Sequence, residues 1–157
     1  MCNEILYLLK EELGDVQAQA VKTKIRGLIV AKTTLDPLAV IEKFHFILKE
    51  RPYEFRYALR ILPIQKVVPT ELEEIKKATT ELAAKIGETE SFRVTVEKRF
   101  TSLHTKDLIE AAAGDIKNRV NLENPDKILL VEVLGALTGL SLIKPSEFLA
   151  VVKEKML

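Results

Sequence analysis

The segment FRVTVEKR, Phe92 to Arg99, decides the fold of the second half of the chain. Its apolar residues alternate with polar ones, and a period of two predicts a β-strand with one buried and one solvent-facing side. Two adjacent cations, Lys98 and Arg99, end the segment. Lys98 falls on the apolar parity. Its ammonium group therefore either extends past the sheet edge into solvent or binds an anion.

Length and composition indicate a folded protein of one ordinary domain or two small ones. The 157 residues are 47% hydrophobic, and no apolar run is long enough to cross a membrane. The start, MCNEILYLLKEEL, lacks the basic leader of a secretory signal. Cys2 is the only cysteine, which excludes an internal disulfide and favours a reducing, cytoplasmic location. Because the net charge is only +1, binding to RNA would require a local basic patch.

Strand-like segments recur along the chain. They are predicted at residues 24–32, where a glycine interrupts the pattern, at residues 55–61, and at residues 92–99. KILLVEVL and ALTGLSLIK are predicted as two further strands that form a hairpin or a bulged pair near Gly135.

Helical periods separate these strands. A first helix is expected to end at Gly14, and a second begins at the cap Asp36 with Pro37 in its first turn. Three further caps are predicted: the capping box of Thr70 with Glu73, Thr105 for a helix that runs to Val120, and Ser146 for the C-terminal helix. The predicted order is α β α β, then α β α β β α.

The segment LPIQKVVP, residues 62–69, contains two prolines and is predicted to be extended without forming a central strand. We expect the domain boundary here, with one domain at residues 1–65 and another at 66–157. Both combine helices with a sheet, so the fold class is α+β.

Residues for catalysis are sparse. The six glycines form no phosphate-binding motif. Cys2 lies at the terminus, His45 is interpreted as a structural histidine between Phe44 and Phe46, and His104 as a loop residue. The sequence therefore predicts no catalytic residues, no metal site and no cofactor.

Basic residues gather around the end of the strand at residues 92–99. Arg93 and Arg99 share one parity, Lys98 adjoins Arg99, and His104 and Lys106 follow in the next loop and helix start. A cation such as Lys106 opposes the helix dipole, so it is either tolerated in solvent or part of an anion site with the free N–H groups of that turn. Lys117 and Arg119 are predicted to close the same helix, where cations are favourable for structural reasons alone.

Three strings carry a family resemblance: RILPIQKVVPTELEEIKKA, ESFRVTVEKRFTSLH and IKNRVNLENPDKILLVEVLGALTGLSLIKP. Their particular matches are the junction from Arg60 to Ile64, the strand end VEKR, the loop VNLENPD, and the glycine-containing strand pair after it. Together they resemble a THUMP domain, in particular the stand-alone THUMP proteins related to the adaptor for tRNA cytidine acetylation. The resemblance is strong from Phe55 onward and looser before it.

The resemblance implies a ferredoxin-like domain at residues 1–65 followed by the THUMP domain, which together recognise the acceptor end of tRNA. It implies a non-catalytic, tRNA-binding adaptor whose partners are tRNA and a separate acetyltransferase that makes N4-acetylcytidine. The expected RNA-binding residues are Arg60, Arg93, Lys98, Arg99, His104, Lys106, Lys117 and Arg119. A ferredoxin-like fold starts with a strand, whereas this sequence starts with a helix, so that first strand is expected to be missing.

Two other hypotheses remain open at this stage. The chain could be the RNA-binding subunit of another tRNA-modifying enzyme, a methyltransferase or a thiolation enzyme. It could also be a ferredoxin-like regulatory module that binds a small metabolite, although the basic cluster and the lack of a glycine-rich ligand loop argue against this.

Overall fold

The computed structural model describes residues 1–155. Its internal contacts divide the chain into two units, the first comprising Met1–Pro63 with the C-terminal segment from Glu147, and the second Ile64–Ser146. Both units mix helices with strands, so the predicted α+β class is confirmed. No helix within residues 1–155 has the length and apolar character needed to cross a membrane.

The first unit begins with α1 (Cys2–Tyr7), which continues as a π-helical turn over Leu8–Glu12. The antiparallel strands β1 (Gln19–Lys22) and β2 (Ile29–Lys32) follow, and then α2 (Pro37–Glu50). With the short β3 described below, this gives the order α–β–β–α–β, which is the ferredoxin-like order after its first strand.

Local capping chemistry determines where these helices begin and end. Gly14 adopts a φ of 78°, a left-handed conformation that suits glycine at the helix end predicted there. The Asp36 side chain accepts a hydrogen bond from the Leu38 N–H at 3.2 Å, so the predicted cap of α2 is confirmed. The apolar face of α2 is buried, and the Phe44 ring meets Phe55 edge to face at 5.8 Å between centroids.

Two predicted strands of this unit are wrong in extent. Within residues 24–32 only β2 is a strand, and its partner β1 lies earlier, because the chain turns back at Gly27 with a φ of 82°. Within residues 55–61 only β3 (Arg60–Ile61) is a strand. The Glu4 carboxylate accepts hydrogen bonds from the backbone N–H groups of residues 56–58, which withdraws them from any strand pairing.

The C-terminal segment belongs to the first unit, which corrects the predicted domain at 66–157. The strand β8 (Leu149–Ala150) pairs antiparallel with β3, and α5 (Val151–Lys155) follows. Leu149 and Val151 are buried in the hydrophobic core of this unit, and that burial places the segment there. Met156 and Leu157, the last residues of the predicted C-terminal helix, lie outside the described residues.

The second unit contains a four-stranded sheet. Its strands are β4 (Lys66–Pro69), β5 (Phe92–Arg99), β6 (Lys127–Leu134) and β7 (Leu137–Ile143), in the order β4-β7-β6-β5. The predicted strand at residues 92–99 is confirmed to the residue. The predicted strand pair is confirmed as a β6–β7 hairpin at Gly135, whose φ is 60°, although β7 is one residue shorter at each end than the predicted segment. The proline-containing β4 lies at a sheet edge, as expected of such a strand.

Two helices, α3 (Leu72–Ala83) and α4 (Thr105–Ala113), pack on one face of this sheet. The buried residues of the helices and of the sheet form one hydrophobic cluster: Ile75, Ala78, Leu82, Phe92, Leu108, Ala112, Leu129, Val131, Val133, Leu140 and Leu142, with Ile86 from the loop after α3.

The predicted caps of α3 and α4 are wrong. Glu71 is the N-cap of α3, and Thr70 instead shares a side-chain hydrogen bond with Thr138 at 2.8 Å. His104 is the N-cap of α4, which ends at Ala113 rather than Val120. The chain beyond α4 turns back to the sheet, where the Phe92 N–H donates to the Arg119 carbonyl at 3.0 Å.

A polar cluster joins the beginnings of β5 and β6. The backbone N–H and the hydroxyl of Ser91 donate to one Asp126 oxygen at 2.8 and 3.2 Å, and Lys127 donates to both Glu90 oxygens at 2.8 and 2.9 Å. The hydrogen bonds from Ser91 lower the pKa of Asp126, with a smaller contribution from Arg119. These contacts fix the parallel register in which Phe92 lies opposite Lys127 and Arg99 opposite Leu134.

We predict that Asp126→Asn weakens the acid dependence of stability. Because the folded pKa of Asp126 is lowered, its ionised form stabilises the fold above the unfolded pKa of about 3.9, and this contribution is lost as the pH falls through the folded pKa. Urea unfolding from pH 7 to pH 2.5 should show a shallower acid loss for D126N than for the wild type. Identical pH profiles would show that the ionised Asp126 carboxylate does not contribute to the stability of the fold.

Candidate nucleic-acid interface

The carboxyl ends of three strands lie at one edge of the sheet in the second unit. Both β4 and β6 run antiparallel to β7, and β5 runs parallel to β6. Consequently β4, β5 and β6 all end at the same edge, and α3 and α4 both begin there. We call this the carboxyl edge. In sheets of this kind, ligands bind beyond the carboxyl ends of the strands.

Three of the predicted site residues lie near the passage from β5 to α4 at the carboxyl edge: Lys98 near the end of β5, His104 at the N-cap of α4, and Lys106 in the first turn of α4. Lys98, His104 and Lys106 are all exposed, and none of them forms an ion pair within residues 1–155. The Lys98 ammonium group donates to the Leu103 carbonyl at 3.0 Å, which holds it against the loop that leads to His104. The structure therefore brings these three residues to one edge of the sheet, and their binding to RNA stays a prediction.

The amino end of α4 adds hydrogen-bond donors to this loop. Its N-cap, His104, makes no side-chain capping bond among the described residues. Backbone N–H groups of a first turn without such a cap, together with the positive end of the helix dipole, favour an anion. Asp107 adds one negative charge in the same turn. The acids of the α3 first turn follow β4, which lies at the other end of the strand order from β5.

Arg99 lies at the same edge but its charge is paired. One of its guanidinium nitrogens lies 3.3 Å from a Glu132 carboxylate oxygen, and the two side chains are 27% and 14% exposed. The parallel register places these residues on adjacent strands, two positions apart. Because its charge is already paired with Glu132, Arg99 is less suited to binding a phosphate than the unpaired cations at this edge.

Three other predicted residues lie at the opposite edge. Arg93 is at the start of β5, about 20 Å along the strand from Arg99, and donates to the Leu122 carbonyl at 2.8 Å. Lys117 and Arg119 lie in the segment after α4, where the Arg119 carbonyl is bonded to the start of β5. Their predicted position at a helix C-terminus is wrong because α4 ends earlier. The structure thus separates Arg93, Lys117 and Arg119 from the carboxyl edge.

Arg60, the last predicted site residue, lies in the first unit. It forms part of β3, and its guanidinium group lies 5.5 Å from the centre of the Phe148 ring. That geometry is a cation–π contact, which accounts for the residue structurally.

The sequence interpretation missed Phe100, the residue that follows β5. Its side chain is 61% exposed and its backbone φ is 58°, in the left-handed region that a bulky residue rarely adopts. Such strain concentrates at functional sites. An exposed aromatic ring between Lys98 and His104 is suited to stacking on an unpaired base. The signal in the sequence was an aromatic residue directly after two cations at the end of a strand.

The geometry of the titratable side chains also decides whether a metal ion can bind. Within residues 1–155 no three His, Cys, Asp or Glu side chains are placed to hold a metal ion. His45 is half-buried in the first unit, where its Nδ1 contacts Glu154, in agreement with the structural role predicted for it. The arrangement at the carboxyl edge favours binding of a polyanion.

Comparison with known proteins establishes what this second unit is. Residues 69–143 match the model of the THUMP domain. The THUMP model thus accounts for most of the second unit. The match begins at Pro69, the last residue of β4, and covers β5 to β7 and both helices, so it includes the carboxyl ends of β5 and β6.

Relatives and solved structures extend beyond that domain. The chain is 28% identical over 162 residues to THUMP domain-containing protein 1 of Bos taurus and 28% identical over 159 residues to the Homo sapiens protein, matches that cover 90% and 87% of this chain. It spans 45% and 44% of the length of those relatives.

Two crystal structures share the fold. PH1313 from Pyrococcus horikoshii Ot3 matches with a TM-score of 0.61 and 19% identity, over 92% of this chain and 47% of that one. TrmN from Thermus thermophilus matches with a TM-score of 0.58 and 14% identity, over 92% of this chain and 43% of that one. Both likenesses extend over nearly the whole chain, so the N-terminal residues share the fold as well.

We predict that Arg99→Glu destabilises the THUMP domain, whereas Lys106→Glu does not. The first change places two carboxylates together beside β6 and removes the partner of Glu132, at a cost of about 1–3 kcal/mol. Thermal unfolding of both variants measures the difference, and Arg99→Gln separates loss of the pair from repulsion. Equal stability of R99E and the wild type would show that the Arg99–Glu132 pair contributes nothing.

Proposed function

We propose that this chain binds tRNA at the carboxyl edge of its THUMP domain, recognises the acceptor end, and takes no part in bond-making itself. The observation that carries the proposal is the exposure of Lys98, Phe100, His104 and Lys106 from the end of β5 to the first turn of α4, with no carboxylate paired to any of them within residues 1–155. Cations and free helix N–H groups suit the phosphate backbone, and the aromatic ring suits an unpaired nucleotide.

Each element of the edge has a distinct role in this proposal. Lys98 and Lys106 contact phosphates, which supplies affinity without sequence preference. The first turn of α4 adds directed N–H donors. Phe100 stacks on a base of the unpaired 3′ end, so that an end with unpaired nucleotides is preferred over a blunt duplex. Two lysines give only modest affinity. The slope of the logarithm of the binding constant against the logarithm of the salt concentration should have a magnitude of about two or less.

The adaptor role is the finer part of the proposal. We propose that the bound tRNA is presented to a separate enzyme, the acetyltransferase that forms N4-acetylcytidine. The supporting observations are the resemblance of the three sequence strings and the match to relatives named THUMP domain-containing protein 1. Affinity purification of the tagged chain from its own cells should recover that enzyme in stoichiometric yield. Recovery of a methyltransferase or a thiolation enzyme instead would contradict this assignment.

We predict that the double variant Lys98→Glu, Lys106→Glu binds tRNA at least about tenfold more weakly at 0.1 M salt, because two phosphate contacts become repulsive. The matched control is Lys85→Glu with Lys117→Glu, which makes the same charge change on exposed residues away from the carboxyl edge. Filter-binding titrations measure both. Equal weakening by the two variants would contradict a site confined to the carboxyl edge. Lys117 would then again be a candidate for RNA binding.

We further predict that Phe100→Ala lowers affinity for tRNA with an intact unpaired 3′ end by about fivefold or more, the loss expected from removing one stacked base. Affinity for a blunt duplex should not change. Phe100→Tyr keeps the ring and should bind like the wild type. If F100A discriminates the two RNAs as well as the wild type does, Phe100 is not the stacking residue.

A further inference from the structure

One hydrogen-bonding edge of β2 is not occupied by any strand within residues 1–155. The pair β1–β2 forms one two-stranded sheet and β3–β8 another, so each of these strands has a single partner. Along the chain, β2, α2 and β3 form a βαβ unit, and in the ferredoxin-like fold such a unit is split by a strand that lies between its two strands. The open edge of β2 is therefore at a position that a strand occupies in the complete fold.

The register of the hairpin identifies the backbone groups at this edge. In an antiparallel pair, opposite residues alternate between hydrogen-bonded and non-hydrogen-bonded positions. The Thr23 N–H donates to the Leu28 carbonyl at 3.2 Å, which makes these residues a hydrogen-bonded pair. Counted from this pair, Ile29 and Ala31 fall at non-hydrogen-bonded positions, so their N–H and C=O groups point away from β1. Neither residue forms a backbone hydrogen bond outside the hairpin among the described residues.

The side chains of β2 give the two faces of this edge different chemistry. Ile29 packs against the core of the first unit but is only partly buried, and Ala31, on the same face, is exposed. On the opposite face Val30 and Lys32 are both exposed. A strand paired with β2 would therefore cover Ile29 and Ala31 with apolar side chains and would meet Lys32 on its other face.

The charges of this hairpin are all positive. The 20 residues between Asp15 and Asp36 contain four cations and no acid: Lys22, Lys24, Arg26 and Lys32. All four are exposed, and none forms an ion pair in the described part of the chain. Asp15 is buried and accepts hydrogen bonds from Thr33 and Thr34, so it is not available to them.

This charge pattern selects among the strands that could pair with β2. Opposite charges at facing positions stabilise paired strands, and like charges destabilise them. The same hairpin of a second copy would bring cations against cations, and exposed lysines on an edge strand are a known protection against such pairing. The edge is therefore complementary to a strand that carries carboxylates.

We propose that the open edge of β2 binds an extended acidic segment of another protein, which adds to the sheet as a strand. In this mode of recognition, main-chain hydrogen bonds supply affinity and alternate side chains supply specificity. The backbone groups of Ile29 and Ala31 make those hydrogen bonds. The segment that fits has apolar residues at every second position, facing the core, and Asp or Glu between them, facing Lys32. This site is separate from the carboxyl edge and does not depend on the proposed function.

The test uses the full-length chain and a dye-labelled, capped peptide of about eight residues in which valine alternates with glutamate. One control peptide has lysine in place of glutamate. The other has the same composition, with the valines and the glutamates in separate blocks. Fluorescence anisotropy titrations should show binding of the alternating acidic peptide alone. Amide hydrogen exchange measured by NMR should show new protection of the Ile29 and Ala31 N–H groups when it binds.

A matched pair of proline variants tests the edge itself. Ala31→Pro removes one outward N–H from the open edge and should weaken peptide binding by about tenfold or more. Ala20→Pro makes the same change at the residue opposite Ala31, on the outer edge of β1, and should bind like the wild type. Proline is tolerated where the N–H of an edge strand faces solvent, and thermal unfolding shows whether both variants fold.

A charge reversal tests the side-chain contact without altering the backbone. Lys32→Glu should weaken binding of the acidic peptide by about three- to tenfold and should allow the lysine peptide to bind. Lys43→Glu, which reverses an exposed charge on α2 of the same unit, is the control and should change neither affinity. If the proline variants do not fold, this charge reversal decides in their place.

The contrary results are equally specific. If the wild type binds no peptide, or binds all three equally, the proposal is overturned. Loss of binding in A20P but not in A31P would assign the peptide to the outer edge of β1 and would also overturn it. If the wild type binds no peptide but Lys32→Glu weakens tRNA binding, the hairpin cations belong to an RNA surface and not to a peptide site.

Discussion

The parallel pairing of β5 with β6 is the constraint on which the candidate site depends. It runs from Phe92 opposite Lys127 to Arg99 opposite Leu134 and is fixed at its start by Ser91 with Asp126 and by Glu90 with Lys127. The pairing places the ends of both strands at one edge. There it delivers Lys98 and Phe100 to solvent, pairs Arg99 with Glu132, and directs the chain into α4. A slip of one residue would exchange the buried and exposed faces of β5.

Much of this sheet and of the candidate site could be predicted from local sequence patterns. The strand at residues 92–99 could be predicted to the residue because its alternation is regular, and the hairpin at Gly135 because a glycine lies between two apolar runs. Lys98, His104 and Lys106 could be grouped because they are neighbours in the chain. For the same reason Phe100 could have been added to them.

The sequence predictions are wrong where contacts between residues far apart in the sequence determine the local structure. Arg93 and Arg99 share a strand face, but equal parity says nothing of the 20 Å or so between them. The Arg99–Glu132 pair depends on the strand register, and the early end of α4 on the return of Arg119 to β5. The predicted strand at residues 55–61 is displaced by the Glu4 carboxylate, more than 50 positions away.

A direct test of the central claim is to map where RNA touches the chain. Ultraviolet cross-linking of tRNA to the wild-type protein, followed by mass spectrometry of the digested complex, identifies the residues in contact. Binding at the carboxyl edge predicts cross-linked peptides that include Phe100 and His104. Cross-links confined to the opposite edge, around Arg93 and residues 115–121, would contradict it.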